Sequence, residues 1–79
     1  MGDILIVDDE RDIRELISDI LQDEGFETRI AGTAEDCMKE VEAAPPGLLI
    51  LDLWLTDRDL DGIDILEKVK KDYPHVPVV

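Results

Sequence analysis

The sequence has one cysteine, Cys37, in 79 residues. A lone thiol cannot close an internal disulfide or build a cysteine cluster for zinc, so the fold needs another source of cohesion. Cys37 shares a helical face with Ala34, Met38 and Val41 and reads as a small buried apolar residue, not a reactive thiol. Long apolar runs are also missing: none approaches the roughly 20 residues of a membrane span. No basic segment precedes the short stretch Ile4–Val7, so the N-terminus is no signal peptide. Met1-Gly2 is followed by Ile6 where a myristoylation signal has Ser or Thr. The expected compartment is therefore cytoplasmic. Basic residues are scarce as well, 8 against 21 acidic ones, for a net charge of -13. Such a chain is repelled by nucleic acid phosphates and anionic membranes, so contact with either is not expected.

What is present is a core and a pattern. Hydrophobic residues make up 44% of the chain, which argues against disorder. The length allows one small domain, burying only about 60% of the surface its unfolded chain exposes. There is no internal repeat and no low-complexity tract. Short apolar runs alternate with amphipathic stretches. Ile4-Leu5-Ile6-Val7 and Leu48-Leu49-Ile50-Leu51 are unbroken, as in strands buried on both faces. Between them, residues 10–24 carry Ile13, Leu16, Ile17, Ile20 and Leu21 at helical offsets, and Gly25 is the stop. Residues 27–31 read as a short polar edge strand. Thr33 with Asp36 resembles a capping box opening a helix that ends before Pro45-Pro46. Residues 52–60 read as a loop. A helix over 62–72 is predicted to bury Ile63, Leu66 and Val69, with Pro74 closing it. A fourth strand is expected to begin at Val76. The order βαβαβαβ implies a parallel sheet with crossover helices. A doubly wound sheet seldom ends on a fresh uncovered strand, so residues 1–79 are expected to be the N-terminal part of a longer domain.

The acids that matter are those that converge. In a flavodoxin-like sheet the first and third strands are neighbours, the order reverses between them, and ligands bind there, beyond the carboxyl ends of the strands. Asp8 and Asp9 follow the first strand directly, and Asp52 follows the third. Three close carboxylates repel one another, and a hard cation relieves the conflict. Mg²⁺ suits few carboxylates, retained waters and a phosphate. A carboxylate is also a nucleophile able to form an aspartyl-phosphate. The bland reading of Asp9 alone, an exposed turn or cap residue, fits cap preferences equally well. It does not account for the trio. Glu10 simply favours a helix N-terminus.

Ile4-Leu5-Ile6-Val7-Asp8-Asp9-Glu10, Leu48-Leu49-Ile50-Leu51-Asp52 and Asp61-Gly62 together resemble the receiver domain of two-component response regulators over essentially the whole chain. The resemblance implies a flavodoxin-like doubly wound parallel sheet. Strand order 2-1-3-4 would be present, with the fifth strand and last helices missing. It implies a signalling module rather than an enzyme, with Mg²⁺ held by Asp8, Asp9, Asp52 and the backbone carbonyl of Trp54. It also implies phosphorylation of Asp52 by a sensor histidine kinase, controlling an effector region, commonly for transcription. Leu53-Trp54-Leu55 and a loop to Gly62 longer than usual, with Leu55 and Thr56 where the family has Met-Pro, resemble the NtrX branch. The Ser or Thr of the family's fourth strand and the Lys of its fifth lie beyond Val79. Lys68, Lys70 and Lys71 read as solvated, not as substitutes.

Rival readings rest on fewer residues. Asp57-x-Asp59-x-Asp61-Gly62 opens like a calcium loop, but Lys68 stands where the bidentate Glu belongs. A haloacid-dehalogenase-type phosphatase needs an acid at the position of Trp54. The alternative from another class is a non-catalytic truncated receiver, a dimerisation module pairing through its exposed fourth-strand edge, with Trp54 as an anchor. His75, between Pro74 and Pro77, reads as a turn residue, and Tyr73 as packing the end of the last helix.

Overall fold

The two unbroken apolar tetrads form the middle of a parallel sheet. The computed structural model describes residues 3–52 and 61–79. Along the chain lie β1 (Ile4–Val7), α1 (Arg11–Asp23), β2 (Thr28–Ala31), α2 (Ala34–Ala43), β3 (Leu48–Leu51) and α3 (Gly62–Asp72). The three strands are ordered β2-β1-β3. Ile4 is paired with Thr28 on one side and Leu48 on the other, and the register continues to Val7, flanked by Ala31 and Leu51. This is the flavodoxin-like arrangement that the sequence pattern implies.

Because strand side chains alternate, the sheet has two distinct faces. Leu5, Val7, Leu49 and Leu51 join Ala34, Cys37 and Val41 of α2 and Ile65 and Val69 of α3 in one core, with Val76 beside them. Tyr73 packs against this cluster, as expected. Ile4 and Ile6 face the other way, toward α1. Among the described residues α1 is the only helix on that side. Ser18, buried in α1, shares a 2.7 Å hydrogen bond with Thr28 Oγ1, and Gln22 Nε2 donates to both hydroxyls.

Two expectations need correction, one in α3 and one at the fourth strand. The apolar stripe that marks α1 as a helix is largely open: Leu16 is 56% and Ile20 54% exposed, and Ile13 is also exposed. The 3.6-residue period identifies a helix correctly, but burial depends on how much of that face other elements cover. In α3 Val69 is buried and Leu66 packs against the core as expected, but the buried isoleucine is Ile65, while Ile63 is 52% exposed. The expected fourth strand is a single parallel bridge between Leu49 and Val78. Its hydrogen bonds run from Leu49 N–H to the Pro77 carbonyl, from Val79 N–H to Leu49 and from Leu51 N–H to Val79. Pro77 has no N–H to add to a ladder, so pairing is confined to a few bonds on the outer side of β3.

The helix ends obey local rules. Gly25 takes φ 93°, its N–H meets the Gln22 carbonyl, and Phe26 N–H meets that of Leu21, the pattern of a Schellman stop. Thr33 Oγ1 accepts the Asp36 N–H. The complete capping box is at α3: Asp61 accepts from Asp64 N–H, and Asp64 accepts from Asp61 N–H. At the far end of α2, Arg29 reaches from β2 to the carbonyls of Glu40 and Ala44 while pairing with the carboxylates of Asp3 and Glu40. Its hydrogen bond to Asp3 holds the guanidinium more firmly protonated than usual.

Burial pushes the Cys37 thiol up from 9.0 to about 12. The folded chain therefore keeps this proton where the unfolded chain loses it. The contribution of this thiol to stability is constant below pH 9 and falls from there toward pH 12, by at most about 1.4 kcal/mol per pH unit. The native protein is expected to resist thiol alkylation at pH 8 and to react once denaturant is added. Equally fast labelling in both states would contradict the buried placement.

Candidate metal centre

The strand order creates the site. From β1 the chain crosses to β2 on one side, and from β2 it crosses back over β1 to β3, so the order reverses between β1 and β3. Asp8 and Asp52 occupy corresponding positions just past these two strands. The ladders continue into both residues: Asp8 N–H donates to the Ala31 carbonyl (3.2 Å) and Asp52 N–H to the Val7 carbonyl (3.0 Å). Their main chains are thus held by the sheet. Asp9 sits in the turn between β1 and α1.

The structure brings the three predicted acids together. One carboxylate oxygen from each of Asp8, Asp9 and Asp52 lies within 4.8 Å of the others. Asp8 and Asp52 are half-buried and Asp9 is exposed. Asp8 Oδ1 accepts the Glu10 N–H at 2.8 Å, which fixes its carboxylate plane at the entrance to α1. The start of α1 adds the positive end of its dipole to this side of the sheet. The donor set consists of hard oxygen atoms from carboxylates. Opposite oxygens in a magnesium octahedron are about 4.2 Å apart, so modest side-chain rotation closes this cluster to that size. The residues fit a small hard cation.

Other predicted features fall elsewhere. Trp54, with its carbonyl, and Asp57 and Asp59 lie outside the described residues. Asp61 caps α3. His75 is an exposed turn residue. One neighbour of the site went unnoticed in the sequence. Arg14 of α1 donates from Nη1 to the Asp8 carbonyl at 2.8 Å. Only its place one turn into the helix after the acidic pair hinted at such a contact.

Residues 4–79 match the model of the response regulator receiver domain. The chain belongs to that family, the phosphoacceptor modules of two-component signalling. Within the family its relatives include proteins of the NtrX type, as its loop sequence implied. It is 48% identical to the nitrogen assimilation regulatory protein NtrX of Azorhizobium caulinodans, over 98% of this chain and 17% of that protein. The solved receiver domain of NtrX from Brucella abortus superposes with a TM-score of 0.91 at 47% identity, covering 96% of this chain and 63% of that one. TrrA of Thermotoga maritima, solved in complex with Mg²⁺–BeF, has a TM-score of 0.87 at 32% identity, covering 99% of this chain and 66% of that one. The chain spans about one sixth of the length of the NtrX-type relatives it matches. Among the described residues, no helix is long and apolar enough to cross a membrane.

Proposed function

We propose that this chain acts in the cytoplasm and receives a phosphoryl group on Asp52 from a sensor histidine kinase, as the N-terminal part (1–79) of a receiver domain whose effector controls transcription. The observation that carries this reading is the meeting of Asp8, Asp9 and Asp52 at the switch point. The Mg²⁺–BeF complex of TrrA supports the same use of the site. Asp8, Asp9, Asp52 and the Trp54 carbonyl would hold Mg²⁺. The bound ion would offset the negative charge of the phosphoryl oxygens against the surrounding acids.

The chain's own residues divide the work. Asp52 supplies the attacking carboxylate oxygen. It forms the new bond to phosphorus as the bond to the donor atom breaks. Its backbone, tied to Val7, keeps that oxygen at the strand end instead of in a loose loop. Asp8, held through Glu10 N–H, offers its second oxygen in a defined direction. Asp9 supplies an exposed charge that draws a cation from solution.

Intact mass after incubation with a small phosphodonor and Mg²⁺ tests the acceptor. The wild-type chain gains one phosphoryl group and Asp52→Asn gains none. Equal uptake by both, or none by the wild type, would overturn the assignment.

A further inference from the structure

Arg14 is placed for the site more than for its own comfort. Its Nη1 donates to the carbonyl of Asp8, the one main-chain group of that residue the sheet does not hold. Its Nε is buried and, among the described residues, has no hydrogen-bond partner. A guanidinium free to satisfy itself would turn toward water or a carboxylate. The side chain also lies directly over Gly32, in the connection from β2 to α2. A Cβ built on Gly32 would meet Nη1 at 2.7 Å, Cζ at 3.1 Å and Nη2 at 3.4 Å. The missing side chain at Gly32 is therefore the slot through which Arg14 reaches Asp8.

We propose that Arg14, seated over Gly32, is the positioning residue of the acidic centre: it clamps the Asp8 carbonyl and so fixes the peptide that joins Asp8 to Asp9. This rests on the reading of the trio as a Mg²⁺ site. The geometry explains why one contact reaches two ligands. Asp8 N–H is tied to Ala31, Asp8 Oδ1 to Glu10 and Asp8 C=O to Arg14. With all three engaged, the peptide plane leading into Asp9 cannot rotate. Without the third, that plane is free, and the Asp9 carboxylate must be ordered when the ion arrives. Residues that orient ligands in this indirect way typically carry about 10-fold or more of metal affinity.

The test uses the 79-residue chain and Mg²⁺ alone, with calorimetry for affinity and carbonyl ¹³C shifts for the hydrogen bond. Arg14→Met is expected to weaken Mg²⁺ binding about 10-fold and to shift the Asp8 carbonyl resonance in metal-free protein. Arg14→Lys keeps the charge and a donor, and is expected to retain most of the affinity. Gly32→Ala leaves Arg14 intact but displaces its guanidinium. The clash falls on the end of a flexible side chain, so the fold survives even if Arg14→Met does not. Gly32→Ala is expected to reproduce the Arg14→Met loss, and the double variant to bind no worse than Arg14→Met, because both changes remove one interaction. Wild-type or tighter binding by folded Arg14→Met or Gly32→Ala would overturn the proposal. So would a lower melting temperature with unchanged affinity, the mark of a purely structural tie. Failure of the wild type itself to bind Mg²⁺ would instead refute the reading of the site, and this inference with it.

Discussion

Saturating Mg²⁺ raises the melting temperature of the wild-type chain by about 10 °C or more, and Asp9→Asn abolishes the gain; this is the expected result of thermal unfolding with and without the ion. A ligand that binds only the folded state adds about 2.7 kcal/mol at a hundredfold excess over its Kd. In a domain of this size each kcal/mol moves the midpoint by about 4–8 °C. The ligands come together only on folding, since Asp52 is far from Asp8 and Asp9 along the chain. Without metal the order of the two proteins reverses. Two carboxylates with oxygens no more than 4.8 Å apart repel by about 1 kcal/mol in a water-like dielectric, less with added salt. Asp9→Asn removes two such pairs, so its metal-free form melts above the metal-free wild type. The crossing is the signature of a metal centre. Melting curves that rise equally in both proteins would show that the ion acts elsewhere.

Leu5→Ala is expected to cost about 3 kcal/mol and Leu16→Ala less than about 1 kcal/mol, read from urea midpoints. Both leucines belong to regular apolar patterns. Leu5 is fully buried in the central strand, between α2 and α3 on one side and its neighbours β2 and β3. Its truncation leaves a cavity that a close-packed core cannot fill. A chain of this length has about 4–12 kcal/mol of stability in total, so Leu5→Ala removes a large share of it. Leu16 is 56% exposed on α1. Truncating it gives up little burial, and alanine is the better helix former. Similar losses for the two variants would contradict the assignment of faces.

The same contrast separates what could be read in the sequence from what could not. The bounds of β1, β3 and α3 follow from the chain itself, because an unbroken apolar tetrad or a helical period with cap and stop residues is local chemistry. Gly25 ends α1 for a local reason too: its positive φ is costly for any other residue. The trio Asp8, Asp9 and Asp52 was also visible, since a parallel sheet of this connectivity places the ends of the first and third strands side by side. Its sequence neighbours were less informative. Asp61 looked like part of a calcium loop and is the cap of α3. Val76–Val79 looked like a strand and contributes one bridge, because Pro77 cannot donate.

The sequence by itself determined the three strands and three helices, their parallel order and the acidic trio at the switch point. Each of these depends on spacing along the chain and on residue type. Only the tertiary structure decided which face of α1 stays exposed, which isoleucine of α3 enters the core, and that Arg14 passes over Gly32 to hold the Asp8 carbonyl. Those outcomes depend on distances between segments remote in sequence, and neither periodicity nor composition measures such distances. The proposed metal centre therefore combines three acids written in the sequence with one arginine contact supplied by the fold.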